Sequence, residues 1–425
     1  MLVCIFEDDR VEHFFPLTRT RAVYSLRMGR RTILDTVAET IDATGIVLHC
    51  RTGLADVVRE ETGRLVNRIA AGVDVLFVNG RIVLHSLDQL APVLEASRTS
   101  TPTVFVHGEE VIAAWVPAAA DPGRMVNREL INLEAFPDFR VETLAGVALV
   151  SRIWHLLAHI EATIKTDFQT LTRGVNVFER PDTRISERAD LVNGEQIFIA
   201  PGAELRSGAV LDASDGPIII DHSARVMEHA VIHGPVSIGE HATVRVGAFL
   251  ENCVIGPWSK VAGEVHDSVI HSFSNKSHAG FMGHSYLGSW VNLGAHTNTS
   301  NLKNDYGIVS AFNEALGEME KTDSIFAGLC MGDHSKCGID SMFNTGTVVG
   351  VSCNLIGSGY QPRHIPSFLW GSPHGGYVTY RLDKALRVAE TVMRRRNKDL
   401  SAAIRDLLAS VHEATESDRD RGILR

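Results

Sequence analysis

A spacing of six separates apolar positions through the second half of the chain. The repeated positions are Ile220, Val226, Ile232, Ile238, Val244 and Leu250, then Phe281, Leu287 and Leu293, then Ile325, Met331, Cys337, Phe343, Val349 and Leu355. This period fits neither an α-helix nor an alternating β-strand. It predicts a hexapeptide-repeat solenoid in which each hexad is one short strand and a turn, three hexads form one triangular coil, and the apolar side chains stack inside.

The first 115 residues have a different pattern. Apolar runs at Leu2–Phe6, 46–48, 73–78 and 104–106 read as strands, and residues 32–41 have helical periodicity. Strands alternating with helices predict an α/β domain with a mostly parallel sheet.

Segments around the repeats complete the predicted architecture. Residues 149–168 and 380–411 have amphipathic helical patterns, and the second is expected to cap the open end of the solenoid. Residues 303–321 interrupt the repeat, with a helix expected at 312–319. The predicted domains are 1–180 (α/β with a connecting helix), 181–376 (the repeat domain) and 377–425 (a helical cap).

Composition narrows the function classes. A length of 425 residues favours two or three domains, and a net charge of -10 argues against nucleic acid as a partner. A charged N-terminus and the lack of a long apolar run argue against a signal peptide and a membrane partner. Six cysteines without a CxxC pair indicate free thiols and a cytoplasmic location.

A loop after the first strand carries hydroxyl and guanidinium groups. Its candidate phosphate-binding residues are Thr18, Thr20, Arg21, Arg27 and Arg30. In sheets of this class, ligands bind at the carboxyl ends of the strands, so the loop is placed to hold the phosphates of a nucleotide. An ordinary surface loop remains the alternative.

The same loop resembles the start of sugar-1-phosphate nucleotidyltransferases, through residues 16–21 (P-L-T-R-T-R), Gly29-Arg30 and Ile33-Leu34. The closest likeness is to a divergent branch of that family with a P-L-T-x-T-R-x-V opening. Where the family has a Gly-rich loop, this chain has Phe6-Glu7-Asp8-Asp9-Arg10, and Val23 replaces the family's lysine. The resemblance implies a Rossmann-like fold, with Mg²⁺ required if nucleotidyl transfer is active. The departures predict that this activity is altered or lost. Glu7, Asp8 and Asp9 are interpreted as a solvated acidic turn, with a metal site as the alternative.

A second resemblance covers about sixty residues of the repeat domain. Residues 276–283, 291–295 and 299–305 are similar to the acetyltransferase half of bifunctional glucosamine-1-phosphate acetyltransferase/N-acetylglucosamine-1-phosphate uridylyltransferases, and closer still to archaeal relatives. The resemblance implies a left-handed parallel β-helix, a homotrimer, an amino-sugar phosphate substrate and acetyl-CoA or another acyl-CoA as co-substrate.

The resemblance also implies roles for individual residues. His278 falls on the general base, and a histidine suits proton transfer near neutral pH. Asn292 falls on a sugar-binding asparagine that also orients the reaction. The implied substrate-binding residues are Arg245, His266, Phe281, Asn301, Lys303 and Asp305, and the implied CoA-binding residues are Gly328, Thr345 and Ser352.

Two other functions stay open from the sequence. One is a non-catalytic trimeric scaffold or sensor that binds nucleotide sugars. The other is a zinc hydratase of the gamma carbonic anhydrase kind, suggested by His229, His233, His266 and His271. The run of arginines at 394–396 reads as a solvated face, with contact to a CoA phosphate as the alternative.

Overall fold

The computed structural model describes residues 1–41, 43 and 45–421. The chain forms two compact units. The first contains Met1–Phe14, Thr18–Leu26 and Arg31–Arg152, and the second contains Phe15–Leu17, Arg27–Arg30 and the chain from Ile153 onward. No helix among the described residues has the length and apolar character needed to cross a membrane.

The first unit is a mixed α/β layer. Its elements are β1 (Leu2–Phe6), α1 (Ile33–Thr40), β2 (Gly45–Leu48), α2 (Ala55–Thr62), β3 (Leu65–Val66), β4 (Val75–Asn79), β5 (Ile82–Val83), α3 (Ala91–Ala96), β6 (Thr103–His107), β7 (Glu110–Val116), β8 (Arg140–Thr143) and β9 (Ala148–Leu149). Helix α1 begins at the predicted place because Thr32 and Asp35 form a capping box.

Seven strands form one sheet in the order β3-β2-β1-β4-β7-β6-β8. The pairs among β1 to β4 are parallel, as predicted. Strand β7 runs antiparallel to both of its neighbours, so the sheet is mixed. One apolar face of the sheet packs against Phe136, whose ring contacts that of Phe77.

The second unit contains short strands in register, followed by helices. Its elements are α4 (Ile153–Ala158), α5 (Ile160–Leu171), β10 (Arg184–Ile185), β11 (Asp190–Val192), β12 (Ile197–Ile199), β13 (Glu204–Leu205), β14 (Val210–Asp212), β15 (Ile218–Ile220), β16 (Arg225–Val226), β17 (Val231–Ile238), β18 (Thr243–Val244), β19 (Phe249–Ile255), β20 (Lys260–Val261), β21 (Glu264–His266), β22 (Val269–Ile270), β23 (Asn275–Lys276), β24 (Phe281–Gly283), β25 (Tyr286–Leu287), β26 (Asn298–Thr299), β27 (Ser310–Asn313), β28 (Glu318–Lys321), β29 (Cys330–Met331), β30 (Lys336–Cys337), β31 (Met342–Phe343), β32 (Val348–Val349), β33 (Asn354–Leu355), β34 (His364–Ile365), β35 (Leu369–Ser372), β36 (Gly376–Thr379), α6 (Leu382–Arg394), α7 (Ala402–Ala414) and α8 (Glu416–Arg421).

These strands confirm the predicted coil of three strands. Three parallel ladders run along the unit: the first face from β10 to β35, the second face from β11 to β31, and the third face from β12 to β34. The long strands β17 and β19 each pass from the second face to the third. The structure is a parallel β-helix, and its left-handed sense stays a prediction.

Most predicted inward positions are correct. The buried core contains all six apolar positions of the first run, from Ile220 to Leu250. It also contains Leu287 and Leu293 of the second run, and the five positions of the third run from Met331 to Leu355. Two assignments are wrong. Phe281 points outward and Met282 takes the inward place, while Ile325 is 36% exposed outside the core. The chain shifts by one residue at the first of these positions.

Five rings stack along the corner that precedes the first face. This aromatic column consists of His241, Trp258, Phe273, Trp290 and His334, and each residue has a φ between 56° and 62°. Residues other than glycine seldom adopt this left-handed conformation. The closest pair, His241 and Trp258, lies 4.2 Å apart between centroids, and the nearly parallel rings of Phe273 and Trp290 lie 4.3 Å apart. Such ring contacts offset part of the conformational cost.

The third face is covered. Its outward side chains Ser237, Val254 and Tyr286 are each 1% exposed, and α5 packs on β17 and β19. The Tyr286 hydroxyl accepts a hydrogen bond from the Arg27 N–H at 2.9 Å. The first and second faces remain for other contacts.

Three helical expectations need correction. Residues 312–319 are not helical, because β27 and β28 form an antiparallel hairpin. The pattern at 149–168 starts as strand β9 and is split into α4 and α5. The pattern at 380–411 is also broken, between Arg394 and Ala402. Helices α7 and α8 contact the last coil at Phe368 and Ser367, whereas the end of α6 reaches back along the first face to Asn275.

Candidate functional site

A cavity of about 670 Å³ lies on the first face of the β-helix, beside α6. Two residues expected from the sequence, His278 and Asn292, both line it. The other lining residues are Lys260, Phe273, Asn275, Ser277, Trp290, Leu293, Gly294, Ala295, Lys336, Ile339, Val392, Arg395 and Arg396. Its volume is in the range of sites for small organic ligands.

The ladder explains why polar side chains converge here. Lys260 pairs with Asn275, Asn275 with Asn292, and Asn292 with Lys336, so all four occupy the same place in consecutive coils. In each coil the next residue points into the core, and alternation along the strand turns these four outward. Neighbouring rungs are about 4.8 Å apart, so the row spans about 14 Å.

His278 lies on the turn that leaves the first face, and its side chain is exposed. The turn is anchored from inside by Lys276, which occupies a core position at 2% exposure. The Lys276 ammonium donates hydrogen bonds to the carbonyls of Ala262 at 2.9 Å and His278 at 3.0 Å. Burial lowers the pKa of Lys276 to about 8.

The cavity is electropositive. Burial lowers the pKa of Lys336 to about 8, and its ammonium donates to the His334 carbonyl at 2.7 Å. Burial, followed by the positive charges of Arg396, Arg245 and Arg395, lowers the pKa of Lys260. Within the described part of the chain, none of these basic groups has a carboxylate partner within 4 Å. The cavity therefore favours an anionic ligand.

Arg245 lies at the same corner as His278, two coils away along the ladder. It is exposed and does not line the cavity, although its charge acts on Lys260.

Three other predicted substrate residues lie away from the cavity, on the second face. His266 contacts Glu251 at 3.2 Å and Glu264 at 3.0 Å, and its ring lies 5.9 Å from that of Phe281. Asn301 is hydrogen-bonded to His284 at 3.0 Å. Burial lowers the pKa of His284.

Lys303 and Asp305 shape the excursion between β26 and β27. The Lys303 ammonium donates to the Ile308 carbonyl at 2.6 Å, and Asp305 accepts from the Gly307 N–H at 2.9 Å.

The three predicted CoA contacts occupy two corners. Gly328 and Thr345 lie where consecutive coils leave the second face, and Thr345 precedes Gly346, whose N–H donates to the Ala327 carbonyl. Ser352 lies at the other corner, in line with the aromatic column.

The predicted phosphate-binding loop is divided between the units. Thr18, Thr20 and Arg21 belong to the first unit, and Arg27 and Arg30 to the second. The buried Thr18 hydroxyl donates to the Val11 carbonyl at 2.7 Å. The Arg27 guanidinium donates to the Arg30 carbonyl. Arg30 pairs with Asp221 at 2.9 Å, and its N–H donates to Asp167 at 2.7 Å.

The acidic segment after β1 is not the solvated turn expected from the sequence, at least at its first two residues. Glu7 is fully buried and pairs with Arg51 at 3.1 Å. Asp8 is 3% exposed and pairs at 2.6 Å with Arg81, which is fully buried. Both carboxylates already have cationic partners.

The first unit has a cavity of about 260 Å³ next to this segment. Asp8, Asp9, Glu109, Glu110 and Glu134 line it together with Arg10. Asp8 and Glu110 pair with Arg81, which leaves three other carboxylates in a cavity lined by one guanidinium group. The cavity is therefore unfavourable for a phosphate group.

Several cavity residues were not singled out from the sequence. Lys260, Asn275 and Lys336 each precede an inward residue, as Asn292 precedes Leu293. Moving from Asn292 by one coil toward the C-terminus reaches Lys336, and moving by one and two coils toward the N-terminus reaches Asn275 and Lys260.

Among the described residues, no group of three or more His, Cys, Asp and Glu side chains has the arrangement of a metal site.

Comparisons with known proteins support the sequence resemblances. Residues 3–176 match the family model described as sugar nucleotidyl transferase. The bifunctional protein GlmU of Streptococcus uberis is 29% identical over 167 residues, 37% of this chain and 35% of the relative. That of Streptococcus equi subsp. zooepidemicus is 26% identical over 209 residues, 48% and 41% of the two chains. The chain thus spans well under half the length of these curated relatives.

A UDP-N-acetylglucosamine acyltransferase from Campylobacter jejuni is 13% identical, with 54% of this chain and 94% of that chain covered at a TM-score of 0.23. A score this low supports no inference. The chain is similar to sugar nucleotidyltransferases over residues 3–176 and, over part of its length, to bifunctional GlmU proteins.

Proposed function

We propose that this chain is a transferase acting on amino-sugar phosphates. The β-helix transfers an acyl group from acetyl-CoA or another acyl-CoA to the sugar amine, and nucleotidyl transfer by the first unit is altered or lost. The enzyme works as a cytoplasmic homotrimer.

One observation carries the proposal. His278 and Asn292, which the family resemblance pairs, line one cavity together with Lys260, Lys336 and Arg396. In the part of the chain that the structure describes, these cations have no carboxylate partners. A base beside such cations suits a substrate that carries both an amine and a phosphate.

In this scheme the sugar amine attacks the thioester carbonyl of acyl-CoA. His278 accepts the proton that the amine nitrogen loses as the C–N bond forms, and the C–S bond breaks to release CoA thiolate, which takes up a proton. Asn292 is in place to orient the sugar. Lys336 remains mostly protonated at neutral pH, since its pKa is about 8, and supplies positive charge for the phosphate.

The first unit supports the loss or alteration of nucleotidyl transfer. Phosphoryl-type transfer depends on positive charge and Mg²⁺ around the phosphates. Glu7 is paired with the partly buried Arg51 and Asp8 with the fully buried Arg81, so the two carboxylates do not fit a Mg²⁺ site, and the adjacent cavity is acidic.

The split of the predicted substrate residues supports the trimer. His278 and Asn292 face the first-face cavity, whereas His266, Phe281 and Asn301 lie on the second face. Side-by-side association would place the second face of one protomer against the first face of the next. The third face, covered by α5, is not needed.

The test is an acyl-transfer assay with acetyl-CoA and glucosamine 1-phosphate, in which released CoA thiol is measured. We expect His278→Ala to lower kcat by about 100-fold or more, the usual contribution of a general base. His296→Ala is the control, because this exposed histidine lies on the same β-helix outside the cavity. Equal activity of the His278→Ala variant and the wild type would remove the base assignment.

The non-catalytic scaffold remains the second candidate, favoured by the buried ion pairs of Glu7 and Asp8. It predicts binding of a nucleotide sugar without release of CoA thiol under any of these conditions.

A further inference from the structure

A groove of about 390 Å³ continues from the cavity along the first face toward the N-terminal coils. The two spaces share Lys260 and Arg396. The groove is also lined by Arg184, Arg225, His241 and Trp258, with smaller contributions from Gly202, Ser223 and Thr243.

The groove has more cationic side chains than carboxylates to neutralise them. Arg184 and Arg225 share a single carboxylate, Glu204, at 3.7 and 3.8 Å, and Arg206 lies closer to that carboxylate, at 3.0 Å. Three guanidinium groups therefore face one acid. His241, which lines the groove, contacts the neighbouring Glu240 at 3.3 Å.

The shared residues carry donors that the protein leaves available. One terminal nitrogen of Arg396 donates to the Asn275 side-chain oxygen at 3.2 Å. The buried Nε of Arg396 has no acceptor among the described residues. Lys260 has its pKa lowered first by burial and then by the charges of Arg396, Arg245 and Arg395. Keeping like charges together without counter-ions costs free energy that a bound anion recovers.

The spacing of these groups indicates more than one phosphate. Arg225, Thr243 and Lys260 pair on successive rungs, so the two cations are about 10 Å apart along the ladder. Beside them, Trp258 is 36% exposed, and its ring contacts the tilted ring of His241 at 4.2 Å between centroids. A partly exposed indole next to a cationic track suits a ligand with both a flat ring and a chain of phosphates.

We propose that this groove binds the pyrophosphate of a nucleotide, with Arg225, Lys260 and Arg396 on the phosphates and Trp258 beside the base or ribose. This proposal deepens the function given above and rests on it for the identity of the ligand. Two sources share this chemistry, the 3′-phosphorylated ADP part of CoA and a nucleoside diphosphate sugar. Either would extend from the groove into the cavity that holds His278.

The test is calorimetric titration of the full chain with inorganic pyrophosphate, CoA, 3′-dephospho-CoA and UDP-N-acetylglucosamine, at low and high salt. Arg225→Gln and Arg396→Gln should each weaken binding by about tenfold or more, since hydrogen bonds to charged groups are strong. Binding should weaken further as salt screens the charges. Arg188→Gln is the matched control, because Arg188 is exposed on the same unit outside the groove.

A preference for CoA that is reduced with 3′-dephospho-CoA assigns the groove to the acyl donor. A preference for UDP-N-acetylglucosamine assigns it to a nucleotide sugar. The proposal is overturned if none of the four ligands binds, or if Arg225→Gln and Arg396→Gln bind as tightly as Arg188→Gln. The titration measures binding without turnover. A failure of the acyl-transfer assay would therefore contradict the proposed function without changing the result for ligand binding in the groove.

Discussion

Lys276 offers a sharp test of how the interior of the β-helix is organised. Its ammonium lies among core side chains, with the carbonyls of Ala262 and His278 as hydrogen-bond acceptors and no carboxylate partner among the described residues. We expect Lys276→Met, which keeps the length of the side chain and removes the charge, to change how the free energy of unfolding depends on pH.

The magnitude follows from the lowered pKa. In the folded chain the pKa of Lys276 falls from 10.5 to about 8 because the charged form is desolvated, which corresponds to about 3 kcal/mol. Between these values the unfolded chain binds the extra proton, so the stability of the wild type rises with pH in this window. Below pH 8 the penalty is fully present. Integration from pH 7 to pH 10 gives a rise of about 2.5 kcal/mol.

At pH 7 the methionine variant is relieved of this penalty, but it leaves the two carbonyls without a donor, at a cost of about 1–3 kcal/mol each. The two effects nearly cancel at neutral pH. As the pH rises, only the wild type gains, so the stability difference in its favour should grow by about 2.5 kcal/mol by pH 10.

The assay is urea unfolding at four pH values from 7 to 10, followed by the fluorescence of the β-helix tryptophans, which include Trp258 and Trp290. Lys321→Met, on the exposed hairpin, sets the baseline for loss of a surface ammonium group. A stability difference that stays constant over the whole pH range would refute the reasoning, because it would show that Lys276 titrates alike in the folded and unfolded chains.

Three further predictions concern the same structure. Arg81→Met should destabilise the chain in urea unfolding by about 3–5 kcal/mol, because it leaves the buried Asp8 carboxylate without its cation, whereas Arg59→Met in an exposed pair should cost less than about 1 kcal/mol. Burial raises the pKa of all six cysteine thiols, so Ellman's reagent at pH 8 should label none of them in the native protein and six after denaturation; prompt labelling of the native chain would contradict this burial. Phe343→Ala, in the β-helix core, should cost about 3–5 kcal/mol by the same urea measurement, while Phe178→Ala at a side chain that is 64% exposed should change little.

The repeat itself was predictable because every coil requires apolar side chains at its inward positions. The pattern failed at Phe281, where an outward ring contacts His266 and the inward place passes to Met282. Spacing alone cannot distinguish an aromatic ring stacked outside a coil from an apolar side chain buried inside it. The hairpin of β27 and β28 was missed for a related reason, since partners across strands override local helical periodicity.

The site was predictable only where a resemblance pointed to it. His278 and Asn292 were expected together, and the structure places both on one cavity. The buried state of Glu7 and Asp8 was not predictable, because their arginine partners lie 44 and 73 residues away in the sequence. An acidic run looks solvated until such partners are known.

The excursion between β26 and β29 has a consequence for how the solenoid folds. Neighbouring rungs elsewhere on the first face join residues 15 to 21 apart. In contrast, Asn292 pairs with Lys336 on the first face and Tyr286 with Cys330 on the third face, each 44 residues apart. Closing this longer loop costs about 0.8 kcal/mol more in chain entropy. Since repeat arrays fold by adding neighbours, the coils before and after this junction should nucleate separately and meet there last. Asn292 and Lys336 lie on opposite sides of that junction. A ligand that contacts both would therefore stabilise the association of the coils before the junction with the coils after it.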